Sequence, residues 1–234
     1  LPPGRHQLVF ADGRRAMLHV PAHTAGNSGH EHEHEHEHQH EHQRQHQHGH
    51  DQRQLPLIVL LHGARGQFGG ADDIAAAHAA RHGALLLMPE SLADSWDVIR
   101  GGYGPDLTFL DRALAWTMRR YRVHAQALAI AGFSDGASYA LSVGLMNGDL
   151  FSDILAFSPG FMQPLRRIGR PRVFVAHGGA DRVLPVERGR AIAARLAAEG
   201  YAVRYAEFDG GHDVPAPLAH EALRRCGAPP NDDR

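Results

Sequence analysis

The chain holds a single cysteine, Cys226, among 234 residues, so it can form no intramolecular disulfide and no C-x-x-C redox or zinc motif. That leaves the redox compartment open. Long apolar runs are missing too: Leu55 to Leu61 and Ala84 to Met88 are the longest, far short of the roughly 20 residues that a helix needs to cross a bilayer. No membrane span is expected. Nor is there an excess of one charge, because 24 Lys plus Arg face 26 Asp plus Glu for a net charge of -2. Nucleic acid and anionic membranes select clustered Lys and Arg, so neither is an expected partner. No repeat with a period of 20 to 50 residues is visible, which excludes solenoids and propellers. The sequence opens at Leu1 with no charged stretch leading into an apolar one; a cytoplasmic location is expected, with export left open because an N-terminus can be processed.

What is present is 43% hydrophobic residues and 26 glycines, enough for a core with many tight turns. A single domain over residues 1–234 is the expectation. Histidine is the anomaly. Ten of the 20 histidines fall between His30 and His50, alternating first with glutamate and then with glutamine. Without an apolar residue this stretch cannot offset the entropy lost on ordering, so a disordered insertion over about residues 26–54 is expected. If extended, it would set imidazoles on one face and carboxylates on the other, able to chelate Zn, Ni or Cu. A slippage-expanded loop with adventitious metal affinity is the plainer reading, ahead of physiological metal handling; an engineered tag comes third, since strand-like sequence flanks the run on both sides.

Outside the insertion, short apolar runs alternate with Ala-rich helical stretches, as strands and crossover helices of a mostly parallel sheet do. Strands are expected at Leu57 to Leu61, Ala84 to Met88, Leu128 to Ala131, Ile154 to Phe157, Arg172 to Ala176 and Val203 to Phe208. Their near-continuous apolar character suits burial on both faces. Gln7 to Phe10 and Met17 to Val20 flank Asp12-Gly13, a hairpin signal that adds an antiparallel edge. Helices are expected at Asp72 to His82, Pro105 to Tyr121, Ser138 to Met146, Glu187 to Glu199 and Pro217 to Cys226.

The chemistry concentrates at Gly132-Phe133-Ser134-Asp135-Gly136, a G-x-S-x-G between an apolar strand and a helix. Glycine on both sides fits a strained strand-to-helix turn in which any Cβ would clash, lifting the Ser134 hydroxyl above the sheet. Serine is a poor nucleophile near neutral pH, so this reading requires a base and an orienting acid further along the chain. Asp181 follows the strand that ends near Ala176, and His212 follows the strand that ends at Phe208. All three lie past the carboxyl ends of strands, where α/β folds build their sites. Asp209 and Asp213 are rival orienting acids, and Asp181 could instead cap a helix; Asp181 is preferred because it alone begins a loop after its own strand. His62-Gly63-Ala64-Arg65-Gly66 follows an early strand and has the form of an oxyanion loop, the N–H of Ala64 acting with that of Asp135. His62 is read as fixing that loop rather than moving protons.

These four pieces, in this order and spacing, resemble a small serine esterase of the α/β-hydrolase superfamily, closest to the phospholipase/carboxylesterase and dienelactone-hydrolase-like families. The resemblance covers most of the chain outside His30 to His50. It implies a mostly parallel mixed sheet with helices on both faces, a triad of Ser134, Asp181 and His212, and hydrolysis through an acyl-enzyme. It implies no cofactor and no catalytic metal. Two features depart from the pattern. Residue 135 is acidic, which would disfavour an anionic acyl group beside Ser134, and the histidine-rich insertion is foreign to these families.

Trp96 and Phe161, in loops after two of the strands, are candidate walls of a substrate pocket, although Trp96 could equally pack within its own loop. The expected function is hydrolysis of small to moderate carboxylic esters or thioesters. The alternatives are a metal-binding protein that uses the domain as a scaffold and a serine peptidase of the same fold.

Overall fold

A computed structural model describes residues 1–22 and 54–226. The histidine-rich stretch, and with it the expected insertion and its metal affinity, lies outside the described residues.

Among the described residues, eight strands form one sheet: β1 (Gly4–Val9), β2 (Arg15–Val20), β3 (Leu55–Leu61), β4 (Leu85–Pro89), β5 (Val123–Phe133), β6 (Asp153–Phe157), β7 (Arg172–Gly178) and β8 (Val203–Phe208). The spatial order is β1-β2-β4-β3-β5-β6-β7-β8. β1 and β2 pair antiparallel, β2 joins β4 antiparallel, and every other pairing is parallel. The hairpin turns where Asp12-Gly13 predicts it, with Gly13 at φ 78° donating its N–H to the Phe10 carbonyl at 2.8 Å.

Among the described residues, five α-helices cover the sheet: α1 (Ala71–His82), α2 (Pro105–Met118), α3 (Asp135–Met146), α4 (Val186–Ala198) and α5 (Ala216–Arg225). The period-2 alternation of strand side chains divides the core in two. Leu57, Val59, Leu61, Ile130, Ile154, Val173 and Val175 pack on the side of α2, α3 and α4. Ile58, Leu60, Leu86, Leu155, Phe174 and Ala176 pack on the side of α1 and α5. A sheet buried on both faces has to be apolar at consecutive positions, which is why its strands could be read from the sequence.

Several boundaries differ from expectation, two of them in the elements that flank Ser134. β5 begins at Val123 rather than Leu128; its added residues are mostly exposed and include His124 and Gln126, so no apolar pattern marks them. α3 begins at Asp135 rather than Ser138, because the turn at Ser134 enters the helix directly.

The strand directions also place Ala22 and Gln54. Ala16 pairs with Pro89 and His19 with Leu86, while Leu55 pairs with Val123. Ala22 and Gln54, the last described residues on either side, therefore leave from the amino ends of the parallel strands. The loops that carry Ser134, Asp181 and His212 leave from the carboxyl ends.

Candidate active site

Ser134 is the turn between β5 and α3, at φ 56° and ψ -117°. A non-glycine residue there is strained, and such strain persists only where its surroundings enforce it. The neighbours show how. A Cβ on Gly132 would lie 2.3 Å from the Gly136 backbone, and a Cβ on Gly136 would lie 2.3 Å from the Leu61 carbonyl oxygen. Both glycines are thus required by close backbone approach. The Ser134 N–H donates to the Phe157 carbonyl at 2.9 Å, which holds the turn against β6.

The Ser134 hydroxyl lies 2.9 Å from Nε2 of His212, and Nδ1 of His212 lies 2.6 Å from Oδ2 of Asp181. A carboxylate only accepts, so Nδ1 carries the ring proton and Nε2 is free to accept from the serine. Asp181 Oδ1 accepts the N–H groups of Val183 and Leu184, each at 2.8 Å. Burial by itself would raise the Asp181 carboxyl, but the His212 hydrogen bond and the two backbone donors together hold it below the usual carboxylate range. The rival acids do not reach the imidazole. Asp209 makes no side-chain hydrogen bond among the described residues, and the one made by Asp213 accepts from the Val214 N–H.

The loops bearing Asp181 and His212 are joined by their backbones. Gly179 N–H donates to the Phe208 carbonyl at 2.8 Å and Ala180 N–H to the Gly210 carbonyl at 2.9 Å. A Cβ on Gly178 would stand 2.1 Å from the Gly211 carbonyl oxygen, so the two loops are in backbone contact. The Phe133 ring packs on His212 with centroids 4.7 Å apart and also lies against Gly63 and Gly69. One aromatic residue thereby spaces His212 from the loop after β3.

In that loop the Gly63 N–H is occupied by the Gln67 carbonyl and the Arg65 N–H by the Asp94 carbonyl. Ala64 N–H, between them, has no hydrogen-bond partner among the described residues, and neither has Asp135 N–H at the start of α3. Two unpaired backbone donors beside a serine hydroxyl are what an oxyanion would need. His62 is 4% exposed and turned inward: Nδ1–H donates to the Gly63 carbonyl at 2.7 Å and Nε2 accepts the Ser91 N–H at 3.0 Å. With both nitrogens committed, it fixes the loop, as its sequence position suggested.

Trp96 requires a correction. It is fully buried, stacked on Tyr139 of α3 with centroids 5.0 Å apart, and its indole N–H donates to the His62 carbonyl at 2.8 Å. It forms no surface of the site and instead supports the loop after β3 from beneath. The indole has a single donor, and the His62 carbonyl is the acceptor that burial leaves it. Phe161 is half-buried against the core, and its N–H and that of Gly160 donate to Ser138 Oγ, one turn beyond Ser134, at 3.4 and 2.9 Å.

Sequence reading missed the bracing of this site by residues 91–97. Ser91, Asp94 and Trp96 all bond to the loop after β3, and Ser95 Oγ donates to Asp135 Oδ2 at 2.6 Å. Behind them, the Asp97 N–H donates to Asp106, which in turn forms a buried ion pair with Arg14 at 2.6 Å. These are contacts between segments distant in sequence, and no local pattern marks them. A second omission is His177, whose Nε2 lies 3.3 Å from Asp181 Oδ2. Its one signal was a polar residue at the end of an otherwise apolar strand.

Among the described residues, no group of three or more His, Cys, Asp or Glu is arranged to hold a metal ion. No described helix is long and apolar enough to cross a membrane.

Residues 42–168 match the family model described as "Putative esterase". That is more than half of the chain. The protein belongs to this esterase family. Its activity class is accordingly that of a carboxylic ester hydrolase. No curated protein matches this esterase. Solved structures of similar fold include esterase PE8, at 24% identity with a TM-score of 0.58, covering 73% of this chain and 91% of that one. The CE1 ferulic acid esterase from Anaeromyces mucronatus has a TM-score of 0.64 at 14% identity, covering 96% of this chain and 90% of that one. The fluorophosphonate-binding serine hydrolase FphF of Staphylococcus aureus has a TM-score of 0.65 at 14% identity, covering 96% and 97%. Likeness at such identities establishes the fold, which is that of the α/β-hydrolases.

Proposed function

We propose that the esterase cleaves carboxylic esters of small to moderate size through an acyl-enzyme on Ser134. The observation that carries this reading is the hydrogen-bonded chain from Ser134 through His212 to Asp181 at the carboxyl ends of β5, β7 and β8. Ser134 Oγ attacks the ester carbonyl carbon while its proton passes to Nε2 of His212, and Asp181 holds the imidazole in the required tautomer and stabilises the imidazolium. The carbonyl oxygen, now an oxyanion, is met by the N–H groups of Ala64 and Asp135. Collapse expels the alcohol, which takes the proton from His212. Water then repeats the sequence on the acyl-enzyme, releasing the carboxylic acid and restoring the serine.

Phe161 supplies part of the wall for the substrate's apolar portion. The Asp135 carboxylate, next to the nucleophile, weighs against acyl groups that carry a negative charge near the scissile bond. Thioesters fit the same machinery. A panel of nitrophenyl esters of graded acyl length, with a hydroxycinnamate ester and an acyl thioester, run on wild type beside Ser134→Ala, tests the reading. Hydrolysis that depends on Ser134 and favours uncharged acyl groups is expected. Equal rates for wild type and Ser134→Ala would refute it.

A further inference from the structure

Asp181 Oδ2 faces two imidazoles. His212 Nδ1 approaches it at 2.6 Å and His177 Nε2 at 3.3 Å. His177, the penultimate residue of β7, has a fully buried side chain. Its Nε2 also lies 2.8 Å from the Leu184 carbonyl oxygen. A carbonyl oxygen only accepts, so Nε2 is the protonated nitrogen and donates to that carbonyl, while the Asp181 carboxylate stands at ion-pair distance from the same nitrogen. The Leu184 N–H returns to Asp181 Oδ1 at 2.8 Å. Two hydrogen bonds through Leu184 and the direct 3.3 Å approach of Nε2 to Oδ2 therefore tie His177 to Asp181.

The other edge of the imidazole is set by α4. A Cβ on Gly189 would lie 2.5 Å from His177 Nδ1, so the helix backbone passes directly over the ring, and Nδ1 has no hydrogen-bond partner among the described residues. From β8, Glu207 is the register partner of His177, and its carboxylate is held by Arg190 of α4 at 2.7 and 2.8 Å. The ionisable groups around His177 are thus Asp181 from its own loop, Glu207 from β8 and Arg190 from α4. Of these, only Asp181 is within ion-pair distance of its ring. A buried imidazole that served packing alone would be better replaced by an apolar ring, because burying a polar group without full pairing is unfavourable.

We infer that His177 is a positioning residue for the esterase: its Nε2–H holds Leu184, whose own N–H binds Asp181, and stands close to Oδ2, fixing the acid's orientation and moderating its pull on the catalytic imidazole. This rests on the reading of Ser134, His212 and Asp181 as the catalytic residues. Without that N–H, Leu184 would be less firmly placed on Oδ1 and no second N–H would stand near Oδ2, so the carboxylate would favour the imidazolium form of His212 more strongly. Proton acceptance by His212 would then become available only at higher pH, and a loosened acid would place the base less well.

The experiment compares wild type, His177→Leu, His177→Gln and Ser134→Ala by the pH dependence of kcat/KM for a nitrophenyl ester. The amide nitrogen of glutamine can reach the position of Nε2, whereas leucine has no donor. Expected for His177→Leu are a kcat lower by roughly ten- to a hundredfold, a nearly unchanged KM and an acid limb displaced to higher pH. His177→Gln should recover most of the rate and the original limb. A leucine variant with wild-type rate and limb would overturn the inference, as would leucine and glutamine variants equally impaired with the limb unmoved. Imidazole 15N resonances of the wild type and of Asp181→Asn keep it testable should His177→Leu not fold. The Nε2–H tautomer of His177 and a shift of its resonance on losing the carboxylate are expected; the opposite tautomer, or no response, contradicts it. A fully active Ser134→Ala would remove the catalytic reading itself, whereas an inactive Ser134→Ala beside an unimpaired His177→Leu would remove this inference alone.

Discussion

Ser134 Oγ stands 2.9 Å from Nε2 of His212 across a separation of 78 residues in the chain. The intervening sequence supplies β6, β7 and β8, and each strand adds one step across the sheet, so that a loop on its far side bends back over β5. The proximity is therefore a product of sheet topology and of the backbone contacts between the loops after β7 and β8. It does not depend on the two side chains attracting each other.

If these residues act as one unit, losing any of them removes most of the catalysis. Ser134→Ala and His212→Ala should lower kcat by several orders of magnitude, and Asp181→Asn by about 10⁴-fold through the wrong tautomer. Asp209→Asn and Asp213→Asn should stay near wild type, since neither carboxylate bonds to His212 among the described residues. Steady-state kinetics on the five variants checks this, and a worse result for Asp209→Asn or Asp213→Asn would reassign the acid.

Trp96→Phe should leave the buried His62 carbonyl without its donor, at a cost of about 1–3 kcal/mol in unfolding free energy. Because that carbonyl belongs to the loop presenting Ala64, kcat should fall while KM changes little. Urea unfolding and kinetics on the same preparation decide it: destabilisation with kcat intact would confine Trp96 to packing.

His78 on α1 gives a separate pH signature. Burial first, and then the positive charges of His82, His220 and Arg224, lower it to about 4. An unfolded histidine takes up its proton near 6.5. Between these values the unfolded state binds a proton that the folded state does not, so stability is full above about pH 6.5 and falls as the pH drops towards 4. His78→Gln should flatten that part of the stability curve. Identical slopes for variant and wild type over this window would show that His78 is not its source.

Deleting residues 30–50 should keep ester hydrolysis within a few-fold and abolish retention on a nickel column. The flanking residues Ala22 and Gln54 leave from the amino ends of the parallel strands, opposite the Ser134 loops, and a serine triad uses no Lewis acid. Chelator treatment of the intact protein should likewise leave the rate unchanged. Loss of turnover under chelation, restored by zinc, would tie the segment to the reaction.

Much of this was legible in the sequence, for physical reasons that differ by element. Strands such as Leu57 to Leu61 announce themselves because both faces are buried, and Ser134, Asp181 and His212 because each follows such a strand. Gly132 and Gly136 were legible because only glycine permits the backbone approach at the turn. Trp96 was misplaced because an aromatic residue in a loop reads alike whether it faces a ligand or, as here, a buried carbonyl. His177 and the bracing residues Ser91, Asp94 and Ser95 act through contacts that depend on how distant loops meet.

The central claim is that Ser134 is the nucleophile. Its most direct test is reaction with a fluorophosphonate, followed by intact-mass measurement and peptide mapping. One adduct per chain on Ser134, with parallel loss of esterase activity and no labelling of Ser134→Ala, is the predicted result. An adduct on another residue, or full labelling of Ser134 with esterase activity retained, would contradict it.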